Sequence, residues 1–126
     1  MVILVVDDSE DVRKLYRLTL ETAGYQVIQA SDGKEAIRAA AVSDPDVNLM
    51  DLNMPDVDGL VATAALRSIA TLKHVPIVAM TAYPGTLPRQ KALAAGCNAY
   101  LEKPFSLEGL TAILQQFSGN GPGRVA

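Results

Sequence analysis

The sequence predicts one α/β domain, a doubly wound and mostly parallel sheet with helices on both faces. Three observations predict it. Short apolar runs without polar alternation recur along the chain, as strands buried on both faces require. Stretches with apolar residues at helical spacing separate these runs, so the connections are right-handed crossovers between parallel strands. The chain has 126 residues, enough for one ordinary domain with its own core and too few for two.

Val2-Ile3-Leu4-Val5-Val6 is a β-branched run and reads as the first strand. Ser9 caps the helix after it, where Val12, Leu15, Tyr16, Leu20 and Ala23 form one apolar stripe and Gly24 supplies the stop. Gln26 to Ala30 is the second strand. Asp32-Gly33 opens a second helix carrying Ala36, Ile37, Ala40 and Ala41, and Asp44-Pro45 closes it. Val47 to Asp51 is the third strand, with Asn48 as a polar intrusion. Met54 to Gly59 is turn chemistry, followed by an alanine-rich helix from about Leu60 to Ser68. Pro76 to Thr81 is the fourth strand, since proline is acceptable at a strand's first residue. Pro84, Gly85 and Pro88 restrict the fourth helix to about Pro88 to Ala95. Ala99-Tyr100-Leu101 is the fifth strand, and Ser106 caps a last helix reaching about Phe117. The domain therefore spans residues 1–117. Residues 118–126, rich in glycine and poor in anything to bury, form a flexible tail. Its Gly119-x-Gly121-x-Gly123 pattern follows a helix rather than a strand, so it is no dinucleotide fingerprint.

Composition excludes several function classes. Eleven Lys+Arg against fourteen Asp+Glu give a net charge of -3 with no basic cluster, which argues against direct nucleic-acid binding. Cys97 is the lone cysteine and His74 the lone histidine, so an internal disulfide and a Cys/His zinc site are both excluded. His74 precedes Val75-Pro76 and reads as a solvated loop residue rather than a triad base. The apolar opening, Met1 to Val6, is too short for a membrane span and lacks the basic flank of a signal peptide. A cytoplasmic protein without membrane insertion is expected.

In a sheet wound this way, the working site lies beyond the carboxyl ends of the strands. The first strand ends at Asp7-Asp8, the third at Asp51, the fourth at Thr81, and the fifth runs into Lys103. Clustered carboxylates repel one another, and a hard divalent cation is their natural compensation. Magnesium suits such a set, because it takes a few carboxylate oxygens together with water and a phosphate oxygen. Lys103 and Thr81 then complete a pocket for the oxygens of a transferring phosphoryl group, and a central carboxylate is its acceptor. Asp51, at the end of the middle strand, is the best candidate. Taken singly, each residue also has a bland reading: a capping turn, a surface loop, a strand-end threonine. The joint occurrence carries the weight.

With these residues in place the sequence resembles the receiver domain of two-component response regulators, of the chemotaxis-regulator type. The matching segments are Val5-Val6-Asp7-Asp8, Met50 to Gly59, Met80-Thr81-Ala82, Ala94 to Tyr100 and Lys103-Pro104-Phe105, and they extend over Val2 to about Phe117. The resemblance implies a flavodoxin-like fold with strand order 2-1-3-4-5 and five helices. It implies that Asp51 accepts a phosphoryl group from a phosphohistidine on a sensor histidine kinase or histidine phosphotransfer protein. It implies Mg2+ held by Asp8, Asp51 and the backbone carbonyl of Asn53, with Asp7 acting through water. Thr81 and Lys103 would hold phosphoryl oxygens, with the Lys103-Pro104 bond cis. Thr81 and Tyr100 would form the switch, and Asn53 and Tyr83 would tune the lifetime of the acyl phosphate, Asn53 orienting the attacking water and Tyr83 shielding it.

Such a protein is a phosphorylation-driven signalling domain that catalyses its own phosphotransfer and autodephosphorylation, not an enzyme with a separate substrate. Asn48 stands where receivers usually carry an apolar strand residue. The last helix, Leu107 to Phe117, contains no Arg or Lys, and Asn98-Ala99 replaces the acidic pair found in many DNA-binding regulators. A stand-alone receiver, or one cut from a hybrid histidine kinase, is therefore favoured over a transcription-factor receiver. Rival readings fit less well. Asp51-Leu52-Asn53 lacks the second acid of a haloacid-dehalogenase-like nucleophile motif, and Asp7-Asp8-Ser9-Glu10-Asp11 would repel a flavin phosphate. A docking-only receiver would not need the intact Asp8, Asp51, Thr81 and Lys103 set.

Overall fold

A computed structural model describes residues 1–52, 59–68, 74–81, 86–103 and 106–118. Strands and helices alternate: β1 (Val2–Val6), α1 (Glu10–Thr22), β2 (Gln26–Ala30), α2 (Gly33–Ser43), β3 (Val47–Asp51), α3 (Gly59–Ser68), β4 (Ile77–Thr81), α4 (Thr86–Ala95), β5 (Ala99–Glu102) and α5 (Leu107–Ser118). The sheet is parallel throughout, in the order β2-β1-β3-β4-β5. The expected fold is the observed one.

The unbroken apolar strands are explained by two cores. Because strand side chains alternate, Leu4, Val6, Met50, Ile77 and Ala79 face one side, against Ala36 and Ala40 of α2, Leu66 of α3 and Ala92 of α4. Ile3, Val5, Val47, Leu49, Val78 and Met80 face the other, against Leu20 of α1 and Leu110 and Leu114 of α5. Apart from Asn48 in β3, the central strands are apolar along their length, and only their C-terminal ends are released for chemistry.

Local signals place the helix ends. Ser9 is the N-cap of α1, its side chain accepting from the Val12 N–H, and Asp32 caps α2 by accepting from the Glu35 N–H. Gly24, with φ of 98°, turns the chain out of α1 as a left-handed residue. The Ser106 hydroxyl accepts from the Gly109 N–H at 3.0 Å at the start of α5.

Two expectations are corrected. The stripe on α1 is narrower than its sequence spacing indicates: Leu20 is fully buried and Tyr16 packs on the core, but Leu15 is 62% exposed. Ala23 is exposed as well. Leu15 instead flanks a shallow groove shared with Tyr16, Thr19, Ser106, Leu107 and Leu110, between α1 and α5. The fourth helix begins at Thr86, two residues before Pro88. Proline is tolerated there because the first-turn N–H groups have no partner within a helix.

Asn48 is 1% exposed in β3, and its Oδ1 has no hydrogen-bond partner. An unmet buried acceptor costs roughly 1–3 kcal/mol. Asn48→Val is therefore expected to stabilise the protein by about 1 kcal/mol, the β-branched side chain being suited to a strand. Urea unfolding of the two proteins checks this, and an unchanged or lower stability would refute it.

Candidate functional site

The C-terminal edge of the sheet gathers the chemistry. Asp7 directly follows β1, Asp51 ends β3, Thr81 ends β4 and Lys103 directly follows β5. Backbone bonds lock these ends together: the Asp7 N–H donates to the Ala30 carbonyl at 3.1 Å, Leu52 N–H to Met80 at 2.9 Å and Lys103 N–H to Thr81 at 2.7 Å. Parallel pairing thus brings residues far apart in the chain to one edge, with Asp51 level with Met80 and Thr81 level with Glu102.

Carboxylate oxygens of Asp7, Asp8 and Asp51 lie within 4.8 Å of one another. Asp7 and Asp51 are buried and Asp8 is exposed, so the cluster opens to solvent on one side. Lys103 reaches in from β5, its Nζ 3.4 Å from Asp51 Oδ1 and 3.7 Å from Asp7 Oδ2. Thr81 is 1% exposed beside them.

Asp7 shows how this cluster is strained electrostatically. Its Oδ1 accepts from the Ser9 N–H at 2.9 Å, whereas its buried Oδ2 has no hydrogen bond. Burial pushes the Asp7 carboxyl above its ordinary range, and the charges of Asp51 and Asp8 push the same way, against the Ser9 N–H and Lys103. Tyr16 feels the same field: its phenol is pushed up to about 12 by burial, then by Asp7 and Asp51. One cation from Lys103 does not balance three carboxylates. A buried oxygen that has only a long ion pair and no hydrogen bond, in a set of hard oxygen donors, fits a hard divalent cation.

The raised Asp7 pKa has a consequence for stability. A carboxyl that holds its proton more tightly in the folded state than in the unfolded chain makes the fold lose stability as pH rises from the unfolded value through the raised one. Asp7→Asn keeps the acceptor for Ser9 and removes the charge. In chelator, the variant is expected to be more stable than the parent at neutral pH, with the gap closing as pH falls towards 3.8. Urea unfolding at several pH values checks this, and a gap that widened on acidification would contradict it.

Asp7, Asp8, Asp51, Thr81 and Lys103 are therefore brought together as the sequence implies. Tyr100 is half-buried in β5 and packs on the core that includes Ala79, its partner in register. Thr81 pairs with Glu102, two residues on, so Thr81 and Tyr100 share a face of the sheet. Asn53, Tyr83, Pro104 and Phe105 lie outside the described residues. Sequence reasoning missed Arg13, whose guanidinium Nη1 donates to the Asp7 carbonyl at 2.8 Å and whose Nε lies 3.4 Å from Gln29 Oε1. Its position five residues after Asp8, one helical turn in, was the available signal.

Comparisons with known proteins agree with this geometry. Residues 3–115 match the family model of the response regulator receiver domain. The polar-differentiation response regulator DivK of Brucella ovis is 33% identical over 118 residues, covering 94% of this chain and 96% of the relative. The chemotaxis protein CheY4 of Vibrio cholerae superposes with a TM-score of 0.87 at 36% identity, covering 92% of this chain and 97% of that one. The receiver domain of the sensor histidine kinase PA1611 from Pseudomonas aeruginosa, solved with a magnesium ion coordinated in its active-site cleft, gives 0.84 at 37% identity, covering 92% and 95%. Among the described residues no helix is long and apolar enough to cross a membrane.

Proposed function

This chain belongs to the response regulator receiver family of two-component signalling, and from that membership we propose that it is a phosphoacceptor switch in which Asp51 takes a phosphoryl group from phosphohistidine. The donor is a sensor histidine kinase or a histidine phosphotransfer protein. The observation that carries this reading is Lys103 Nζ at 3.4 Å from Asp51 inside a cluster of three carboxylates. That arrangement offers a nucleophile and a cation for phosphoryl oxygens at one place.

In the transfer, an Asp51 carboxylate oxygen bonds to phosphorus as the N–P bond of phosphohistidine breaks. The leaving ring nitrogen keeps the bonding pair and takes a proton from solvent. Lys103 and the Thr81 hydroxyl hold phosphoryl oxygens as charge builds on them. Asp8, Asp51 and the Asn53 carbonyl are the residues that would hold Mg2+, with Asp7 acting through water. Bound there, the ion would offset part of the negative charge of the carboxylates and the phosphoryl oxygens. Hydrolysis reverses the state: a water oxygen bonds to phosphorus, the bond to Asp51 breaks, and inorganic phosphate leaves with the water's protons shared between it and solvent. Asn53 orients that water and Tyr83 shields the phosphorus. Movement of Thr81 towards the phosphoryl group lets Tyr100 turn inward, a two-state shift biased by one new interaction. The switch domain comprises residues 1–117, with 118–126 as a tail, and it works in the cytoplasm, either alone or as part of a hybrid kinase.

The test is intact mass after incubation with acetyl phosphate, with Mg2+ and with chelator. The expected result is a gain of one phosphoryl group that needs Mg2+ and is released by hydroxylamine, as an acyl phosphate is. A folded protein that gains nothing from acetyl phosphate or a phosphohistidine donor, and binds no beryllofluoride, would be a docking-only receiver.

A further inference from the structure

Three of the hydrogen-bonding groups of Asp7 are occupied, one by β2, one by the N-cap of α1 and one by its first turn. Its N–H donates to Ala30 at the end of β2, its Oδ1 accepts from the Ser9 N–H, and its carbonyl accepts from Arg13 Nη1 at 2.8 Å. Only Oδ2, facing the carboxylate cluster, is left without a hydrogen bond. The carbonyl belongs to the peptide that joins Asp7 to Asp8, so the guanidinium fixes the plane from which both carboxylates project. Arg13 is itself held. Its backbone N–H bonds to the Ser9 carbonyl at 3.0 Å, and its Nε is directed at Gln29 in β2 at 3.4 Å. A cation this close to the N-terminus of α1 gains nothing from the helix dipole, so the dipole does not account for its place.

We propose that Arg13 is a positioning residue for the metal-binding carboxylates, bracing the Asp7–Asp8 peptide between α1 and β2 so that both side chains are preorganised for Mg2+. This rests on the reading of the acidic cluster as a Mg2+ site. Removing a group that orients a metal ligand typically weakens metal affinity by about 10–100-fold.

Two physical effects of removing Arg13 have opposite signs, which makes the test decisive. As a mere positive charge beside a cation site, Arg13 weakens metal binding by repulsion, and its loss would tighten it. As a brace it strengthens binding, and its loss weakens it. Mg2+ also demands near-ideal octahedral geometry, whereas Ca2+ tolerates irregular sets, so a loosened brace costs Mg2+ more than Ca2+.

The experiment is titration of the full chain with Mg2+ and with Ca2+, by calorimetry and by the amide NMR shifts of Asp7, Asp8 and Asp51, alongside thermal melts. Arg13→Met is expected to weaken Mg2+ binding by about 10-fold or more, with Ca2+ affected less and Arg13→Lys in between. Equal or tighter Mg2+ binding in Arg13→Met, or equal losses for both ions, overturns the proposal. Should Arg13→Met fail to fold, Gln29→Leu removes the second anchor while keeping the charge. It is expected to weaken Mg2+ binding by about threefold, and no change there overturns the proposal equally. A parent protein that binds no Mg2+ refutes the site reading itself, an outcome distinct from a parent that binds and a variant that matches it.

Discussion

Asp51→Asn is expected to abolish phosphoryl uptake while leaving the fold intact. The amide is isosteric with the carboxylate but lacks the charge that makes it a nucleophile, and loss of a nucleophile typically lowers rates by about 10⁴-fold or more. Unfolding is not the expected cause. The Asp51 side chain is only 4% exposed, and Lys103 keeps a second carboxylate, Asp7, at 3.7 Å after the change. The variant also relieves a repulsion, because Asp51 is one of the charges that push the Asp7 carboxyl up. Asp7 is accordingly expected to titrate lower in Asp51→Asn than in the parent, which carboxyl NMR would show. Intact mass with acetyl phosphate and Mg2+ reads the main effect. A variant that still gained a phosphoryl group would move the acceptor away from Asp51.

The second large effect is on stability, at the opposite end of the sheet. Arg67, in the last turn of α3, donates from Nε to the Gly96 carbonyl at 2.9 Å, from Nη1 to the Val75 carbonyl at 2.6 Å, and from Nη2 to Asn98 Oδ1. Asn98 Oδ1 also accepts from the Ile77 N–H at 2.9 Å, so one guanidinium ties α3 to the entry of β4 and the turn before β5. Burial lowers the Arg67 pKa from its ordinary value, and the negative charge Cys97 can carry acts against that. Arg67→Met keeps the apolar stem but strands acceptors, at about 1–3 kcal/mol for each that water cannot reach. A loss of about 2–3 kcal/mol in urea unfolding is expected. Gly96 belongs to the same device. Its φ is 114°, and a Cβ there would stand 2.8 Å from Arg67 Cγ, so Gly96→Ala meets both backbone strain and a clash. If Arg67→Met unfolded within about 0.5 kcal/mol of the parent, the clamp would be no more than a surface contact.

Much of this molecule is legible in its residues one after another. Val2 to Val6 without alternation means a strand covered on both sides, and that is a local property of the side chains. Ser9 and Asp32 cap helices because their side chains reach backbone N–H groups three residues on. Strand ends are equally readable, so Asp7, Asp51, Thr81 and Lys103 are placed on one edge of the sheet by the winding rule alone. The apolar stripe of α1 is less so. Spacing marks Leu15 as equivalent to Leu20, but how the helix rolls on the sheet decides which of them is covered.

Sequence by itself thus determined the parallel sheet, the caps and the identity of the acidic edge, since each follows from side-chain chemistry or short-range spacing. Tertiary structure alone decided that Asp7 Oδ2 is buried without a hydrogen bond, that Lys103 is shared between two carboxylates, and that Arg13 and Arg67 act as braces. The physical reason lies in the acceptors. Both arginines bond to main-chain carbonyls, which every residue carries, so the partner's identity leaves no mark in the sequence. Only the folded geometry says which carbonyl a guanidinium meets.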